Sequence, residues 1–206
     1  MKRHLIVYAK CPLPHNTKTR LGATLGHVEA AGVYARLLYA YLFDLLATVA
    51  ETARIELSLG HQRDVPFFTR AFPELLVRPQ VHGDLGARMA ASFDQAFAEG
   101  ADAVVLTGSD IPGLNGALVQ EAFARLETDP AVIGPAEDGG YYLLGLRAPG
   151  ADLFSDIPWS TADVLACTEA RARAHDLTLT RLPLLADIDV EEDYAAWIGS
   201  EHFRKT

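Results

Sequence analysis

The chain has 206 residues, 50% hydrophobic and 22% charged, so it carries enough apolar material for a large core and too much for a disordered segment. Acidic residues outnumber basic ones 27 to 18, a formal charge of −9, which argues against a general nucleic-acid binder because phosphate neutralisation needs clustered Lys and Arg. Cys11 and Cys167 are too few for a disulfide framework or a structural zinc site. Lys2-Arg3-His4 precedes an apolar run too short for a secretory signal, and the greasiest stretch, 33–50, is broken by Arg36 and Asp44. The expectation is a soluble, cytoplasmic protein without a membrane or nucleic-acid partner.

Leu5-Ile6-Val7-Tyr8-Ala9 is a continuous apolar run of strand length, as for a strand buried on both faces. A proline-containing loop follows over 11–20. Val33, Leu37, Leu38, Tyr41, Leu42, Leu45, Leu46 and Val49 then recur at helical spacing. Ile55-Glu56-Leu57-Ser58-Leu59 alternates and predicts a second strand, and Leu75-Leu76-Val77 a weaker third. The stretch 85–99 has the helical pattern of Met89, Phe93 and Phe97 and stops at Gly100.

Ala103-Val104-Val105-Leu106 predicts another buried strand, and Leu118, Ala122, Phe123 and Leu126 a helix. Short strands are expected at 132–134 and 141–146 around Gly139-Gly140, a helix over 164–175, a strand over 177–182 and a closing helix over 191–203. Strands alternating with helices predict a mostly parallel sheet covered on both faces, an α/β fold in a single three-layer α/β/α domain over 1–206.

Ligands of open parallel sheets bind beyond the carboxyl ends of the strands. After the first strand come Lys10, Pro12, Pro14, Lys18, Thr19 and Arg20; after 103–106 come Gly108, Ser109, Asp110 and Pro112. The later strands are followed by Glu137, Asp138, Gly139 and Gly140, and by Asp187, Asp189, Glu191, Glu192 and Asp193. One cationic loop facing three carboxylate-rich ones suits a polyphosphate bound through Mg²⁺ or Mn²⁺.

Each motif also has a plainer reading. Asp110 could cap the next helix, although Asn115 is placed to do so, and Gly108 would allow close backbone approach. Residues 137–140 could be a hairpin turn, and 187–193 the negative charge at a helix N-terminus. Asp187 and Asp189, two apart in extended chain, point the same way. Ser160-Thr161 looks like a helix N-cap, Trp159 like a loop anchor, and Cys11 with His15 like ordinary loop residues rather than metal ligands. His175 and His202 fit a helix surface. HExxH, GxSxG, CxxC and GxGxxG are all missing from the sequence.

Taken in order, several motifs resemble one bacterial family: Lys10-Cys11-Pro12-Leu13-Pro14, Lys18-Thr19-Arg20-Leu21, Gly83-Asp84-Leu85-Gly86 with Arg88-Met89, and Gly108-Ser109-Asp110-Ile111-Pro112. Pro135 to Tyr142, Trp159-Ser160-Thr161 and Asp187-Ile188-Asp189 complete the set. The family is the glycosyltransferase-A-like group of radical-SAM/selenodomain-associated transferases, with a more distant similarity to phospholactate and molybdenum-cofactor guanylyltransferases. The resemblance implies a nucleotide-diphospho-sugar transferase (GT-A, Rossmann-like) fold with a divalent metal. It departs from the family in the first loop, where glycine usually stands at His15 and a small residue at Cys11.

Carried over residue by residue, the resemblance implies that Lys10, Lys18 and Arg20 contact phosphates and that Gly83, Asp84 and Arg88 border the base or ribose. Asp110 with Asp187 or Asp189 would hold the metal. Glu137, Asp138 and Tyr141 would face the acceptor, with Asp138 as base and Asp110 and Lys18 also in catalysis. The partners implied are a nucleotide or nucleotide-sugar donor and a small-molecule acceptor, with a homodimer left open. Glycosyl transfer leads; nucleotidyl transfer with pyrophosphate release is the alternative, and a non-catalytic nucleotide-binding protein the third reading.

Overall fold

Leu5, Ile6 and Val7 are all buried, as a strand covered on both faces requires, in a computed structural model that describes residues 1–199. Seven strands form one sheet: β1 (Arg3–Ala9), β2 (Arg54–Leu59), β3 (Leu76–Pro79), β4 (Ala103–Thr107), β5 (Ala131–Pro135), β6 (Tyr141–Leu146) and β7 (Leu179–Arg181). Their spatial order is β3-β2-β1-β4-β6-β5-β7, and β6 alone runs against its neighbours. The β5–β6 connection is therefore a hairpin, so the Asp-Gly signal marks a turn as well as a carboxylate loop.

The helices are α1 (Thr19–Leu25), α2 (His27–Thr48), α3 (Val65–Ala71), α4 (Leu85–Ala98), α5 (Gly116–Arg125), α6 (Val164–Ala174) and α7 (Glu191–Ile198). One face of the sheet packs Leu5, Val7, Leu57, Val105 and Val132 against Leu38 and Leu42 of α2, Phe68 of α3 and Phe123 of α5. The other packs Ile6, Val104, Leu106 and Leu144 against Met89 and Phe93 of α4 and Ala172 of α6. Each fully buried Phe contributes roughly 1.5–3 kcal/mol of transfer free energy. A third cluster joins Leu21 of α1, Val33 and Leu37 of α2, Trp197 of α7 and Ile188 just before α7, which ties the 187–189 segment to α1 and α2. By length and composition α2 is apolar enough to cross a membrane; its buried residues pack on the sheet and, at Ala30, Val33 and Leu37, against α1 and α7.

Two short helices escape the sequence pattern. α1 begins at the end of the expected 11–20 loop and runs through a stretch for which no element is expected; its N-cap, Lys18, makes no capping side-chain bond, so no cap residue announces it. α3 begins at a Val-Pro pair and is too short for periodicity to identify. The alternation of β2 also misleads, because Glu56 and Ser58 are buried: the Glu56 carboxylate lies 3.3 Å from His4 Nε2 and 3.5 Å from Arg78. Asn115 caps α5 through the Leu118 amide, which leaves Asp110 free of that duty. The N-cap of α6 is Asp163, with Ser160 and Thr161 in the turn before it. Positions 200–203 of the expected closing helix, with His202, lie outside the described residues.

Candidate functional site

The cationic loop leaves β1 at Lys10 and ends at Lys18, whose backbone is left-handed (φ 47°, ψ 47°). That turn drives the Lys18 side chain inward: only 3% of it is exposed, and Nζ lies 3.0 Å from Asp110 Oδ2 and 3.5 Å from Asp189 Oδ1. Burial works against its charge, but Asp110, Asp189 and Asp187 outweigh burial and raise its pKa above the ordinary lysine value. Arg20 is exposed, with Nη1 3.5 Å from the other Asp189 oxygen. Lys10 is exposed at the loop's start.

Three chain segments bring the carboxylates together. Asp110 follows β4, and Asp187 and Asp189 follow the chain beyond β7, where an isolated Ala136–Leu185 bridge extends the sheet. Burial, then Asp138 and Asp110, with a lesser push from Asp189, raises the Asp187 carboxyl from 3.8 to about 7, against the opposing pull of Lys18. Its Oδ2 is buried without a hydrogen-bond partner. Asp138 sits on the β5–β6 hairpin with Oδ1 accepting the Gly140 amide at 2.8 Å; Glu137 is exposed beside it. Asp193, not Asp189, bonds the amides of Asp189 and Val190 at the start of α7.

Other expected residues are placed differently. Tyr141, at the start of β6, packs against the cluster under α4, its hydroxyl 3.9 Å from the Met89 sulfur. Asp84 caps α4 through the Ala87 amide, and Arg88 donates to Gln80 Oε1 and the Asp84 carbonyl, so both also hold the β3–α4 corner. Gly83 at φ 139° turns the chain into that corner. A Cβ at Gly86 would lie 2.7 Å from Trp159 Nε1, which makes Trp159 the loop anchor the sequence implied. A Cβ at Gly108 would meet only Asp110 Oδ1, at an ordinary 3.6 Å, so close approach does not demand that glycine. The His15 ring lies tilted against His27, centroids 3.8 Å apart, while Cys11 packs against the core.

Among the described residues no three His, Cys, Asp or Glu side chains converge in a metal-holding arrangement. The Lys18 ammonium occupies the space between Asp110 and Asp189 instead. The donor chemistry nonetheless fits a hard divalent cation: the nearby donors are carboxylate oxygens, they crowd one another, and Asp187 Oδ2 has no partner. Residues that sequence reasoning passed over also cluster here. Thr17 is buried with its hydroxyl unpartnered, and Tyr34 of α2 bonds both Ser109 and the Lys10 amide. Within the apolar stripe of α2, Tyr34 carried no signal beyond its hydroxyl.

The model of the family described as "Uncharacterized protein conserved in bacteria (DUF2064)" matches residues 45–161. A provisionally named nucleotide-diphospho-sugar transferase from Desulfovibrio desulfuricans is 34% identical, with a TM-score of 0.85 over 99% of this chain and 94% of that one. A nucleotidyl transferase from Methanothermobacter thermautotroptrophicus superposes at TM-score 0.60 and 16% identity, covering 100% of this chain and 99% of that one. A Mycobacterium tuberculosis protein in complex with manganese does so at 0.58 and 14% identity, covering 97% and 100%. At such identities the last two speak for the fold. No curated protein matches the chain in sequence. These findings agree with the nucleotide-diphospho-sugar transferase superfamily and do not reach the narrower radical-SAM-associated group.

Proposed function

This chain belongs to the DUF2064 family, and on that premise we propose that it is a divalent-metal-dependent transferase acting on an activated nucleotide, with transfer of a sugar from a nucleoside diphosphate to a small acceptor as its leading reaction. The observation that carries the proposal is the Lys18 ammonium buried among Asp110, Asp187 and Asp189 at the carboxyl edge of the sheet. The manganese complex and the nucleotide-sugar assignment among the structural relatives support the same reading.

Lys10, Lys18 and Arg20 bind the diphosphate. Lys18 leaves the aspartates for a phosphate oxygen as the ligand enters, and Arg20 covers the solvent side. Asp110, with Asp187 and Asp189, would hold Mg²⁺ or Mn²⁺, which supplies charge neutralisation at the diphosphate when bound. The acceptor oxygen forms its bond to the anomeric carbon as the bond from that carbon to the phosphate oxygen breaks, and the electron pair leaves on the nucleoside diphosphate. Asp138, held by the Gly140 amide through one oxygen, takes the acceptor proton on the other. Gly83, Asp84 and Arg88 border the nucleoside, and Glu137 lies on the acceptor side.

Nucleotidyl transfer is the second reading, favoured by three cations, Lys10, Lys18 and Arg20, on the segment that follows β1, which suit a triphosphate better than a diphosphate. A thermal-shift panel of triphosphates, diphosphates and nucleotide sugars with Mg²⁺ or Mn²⁺ tests both, since a ligand of the native state raises the melting temperature. Stabilisation by a nucleotide sugar, and nucleoside diphosphate release in assay, supports the lead. Pyrophosphate release moves the assignment to nucleotidyl transfer. No metal-dependent stabilisation by any of them overturns the proposal.

A further inference from the structure

The parallel ladder between β1 and β4 ends at Val7 opposite Thr107, yet the two loops that carry the site begin just beyond it, at Lys10 and Asp110. A closed relay of three hydrogen bonds spans that gap. Ser109 Oγ donates to the Tyr8 carbonyl at 2.9 Å, which commits its hydrogen, because a carbonyl only accepts. The Tyr34 hydroxyl, 2.9 Å from Ser109 Oγ, must therefore donate to it. The Lys10 amide then donates to Tyr34 Oη at 3.0 Å. The polarity is fixed throughout: from Lys10 N–H to Tyr34, to Ser109, and back to β1 at Tyr8.

Tyr34 and Ser109 are 4% and 5% exposed, so solvent cannot replace either partner. Burial pushes the Tyr34 phenol up to about 12, with Asp110 adding to the rise, and keeps it a donor. The ring stands on α2, while its hydroxyl joins the first residue of the cationic loop to the residue preceding Asp110.

We propose that Tyr34 and Ser109 are positioning residues that set the separation of the Lys10–Lys18 loop from Asp110, so that grip on a metal-bound polyphosphate depends on their hydroxyls. This rests on the nucleotide-transferase reading of the site. The protein carries its own control. Tyr41, two turns along the same helix, bonds Thr107, the last residue of β4, at 3.1 Å, and both residues are buried. Tyr34→Phe and Tyr41→Phe each delete one buried tyrosine hydroxyl between α2 and the β4 segment, but only the first touches the relay.

The test measures binding of Mn²⁺ with inorganic pyrophosphate by calorimetry, and melting temperature, for the full chain and for Tyr34→Phe, Tyr41→Phe, Ser109→Ala and Ser109→Thr. Expected are comparable falls in melting temperature for the two Phe variants, with affinity lowered about tenfold or more in Tyr34→Phe and Ser109→Ala only. Ser109→Thr, which keeps the hydroxyl, restores affinity. If Tyr34→Phe binds like Tyr41→Phe, or Ser109→Thr binds no better than Ser109→Ala, the positioning role is overturned. If Tyr34→Phe fails to fold, the Ser109 pair decides in the same way. If the unaltered chain does not bind Mn²⁺ with pyrophosphate, the transferase reading itself falls, and this inference with it.

Discussion

Replacing Lys18 by methionine keeps most of the side-chain volume and removes the ammonium that separates Asp110 from Asp189. Breaking a fully buried pair costs about 3–5 kcal/mol, because the surviving charge keeps its desolvation penalty. Here the cation is buried, but the Asp110 and Asp189 side chains are 48% and 41% exposed, so solvent screens much of the repulsion they acquire. Discounted for that, the expected loss is about 1.5–3 kcal/mol, or roughly 3–10 °C in melting temperature for a chain of this size. Lys18 is held above its ordinary pKa in the folded state, so its contribution is complete at neutral pH and disappears only as pH rises past the lysine range. The loss should shrink on acidification, as the crowded carboxylates bind protons, and Mg²⁺ should restore part of it by replacing the missing charge. Calorimetric melting of Lys18→Met and the unaltered chain, in EDTA and in Mg²⁺, at neutral and mildly acid pH, reads all three effects. An unchanged melting temperature, or a fall indifferent to both pH and cation, would refute the electrostatic account.

The Asp187 carboxyl titrates at about 7 in the fold against 3.8 as its ordinary value, so the native state holds its proton over that interval and loses stability as pH rises through it. In EDTA, Asp187→Asn should therefore flatten the decline from about pH 4 to 8 and be more stable than the unaltered chain at the upper end by roughly 2 kcal/mol; an unaltered slope would contradict this. Asp110→Asn should lower metal-dependent nucleotide affinity by about tenfold or more, with a smaller fall in the free chain's melting temperature than Lys18→Met because Asp189 and Asp187 still face the ammonium, and equal affinity in calorimetry would remove Asp110 from the site. Gly139 has φ 86°, and an added Cβ would collide with the Ala162 carbonyl, so Gly139→Ala should cost about 1–3 kcal/mol by urea unfolding. Gly108→Ala, where the new atom finds ordinary contact, should cost less than about 1 kcal/mol. Equal costs would show the hairpin yielding freely.

Elements with a strong local pattern are legible in the sequence. The 85–99 stretch became α4 (Leu85–Ala98) within a residue, because Met89 and Phe93 repeat at one helical turn and Gly100 ends the pattern. α1 and α3 were not legible, since seven residues make too few turns for a period and neither has a capping side chain. The candidate site divides the same way. Lys18, Arg20, Asp110, Asp138, Asp187 and Asp189 could be named as a group because parallel strands deliver their following loops to one edge. The contact of Tyr141 with Met89 was not legible in the sequence, since its place in the hairpin depends on the β5 register, which shifts between Gly134 and Pro135. Tyr34 was indistinguishable from its apolar neighbours on α2, and its role depends on a strand end 75 residues away from it in the chain, at Ser109.

What the amino-acid order determined by itself was therefore the α/β class, the strand and helix alternation, and the set of charged loops, all of which follow from local hydrophobic periodicity and chain direction. The tertiary structure decided which of those charges meet. Burial of Lys18 follows from a left-handed backbone turn that no local propensity favours, and the crowding that lifts Asp187 needs carboxylates from three parts of the chain. Electrostatic coupling acts through distance and dielectric, and neither is written in the spacing of residues along a chain.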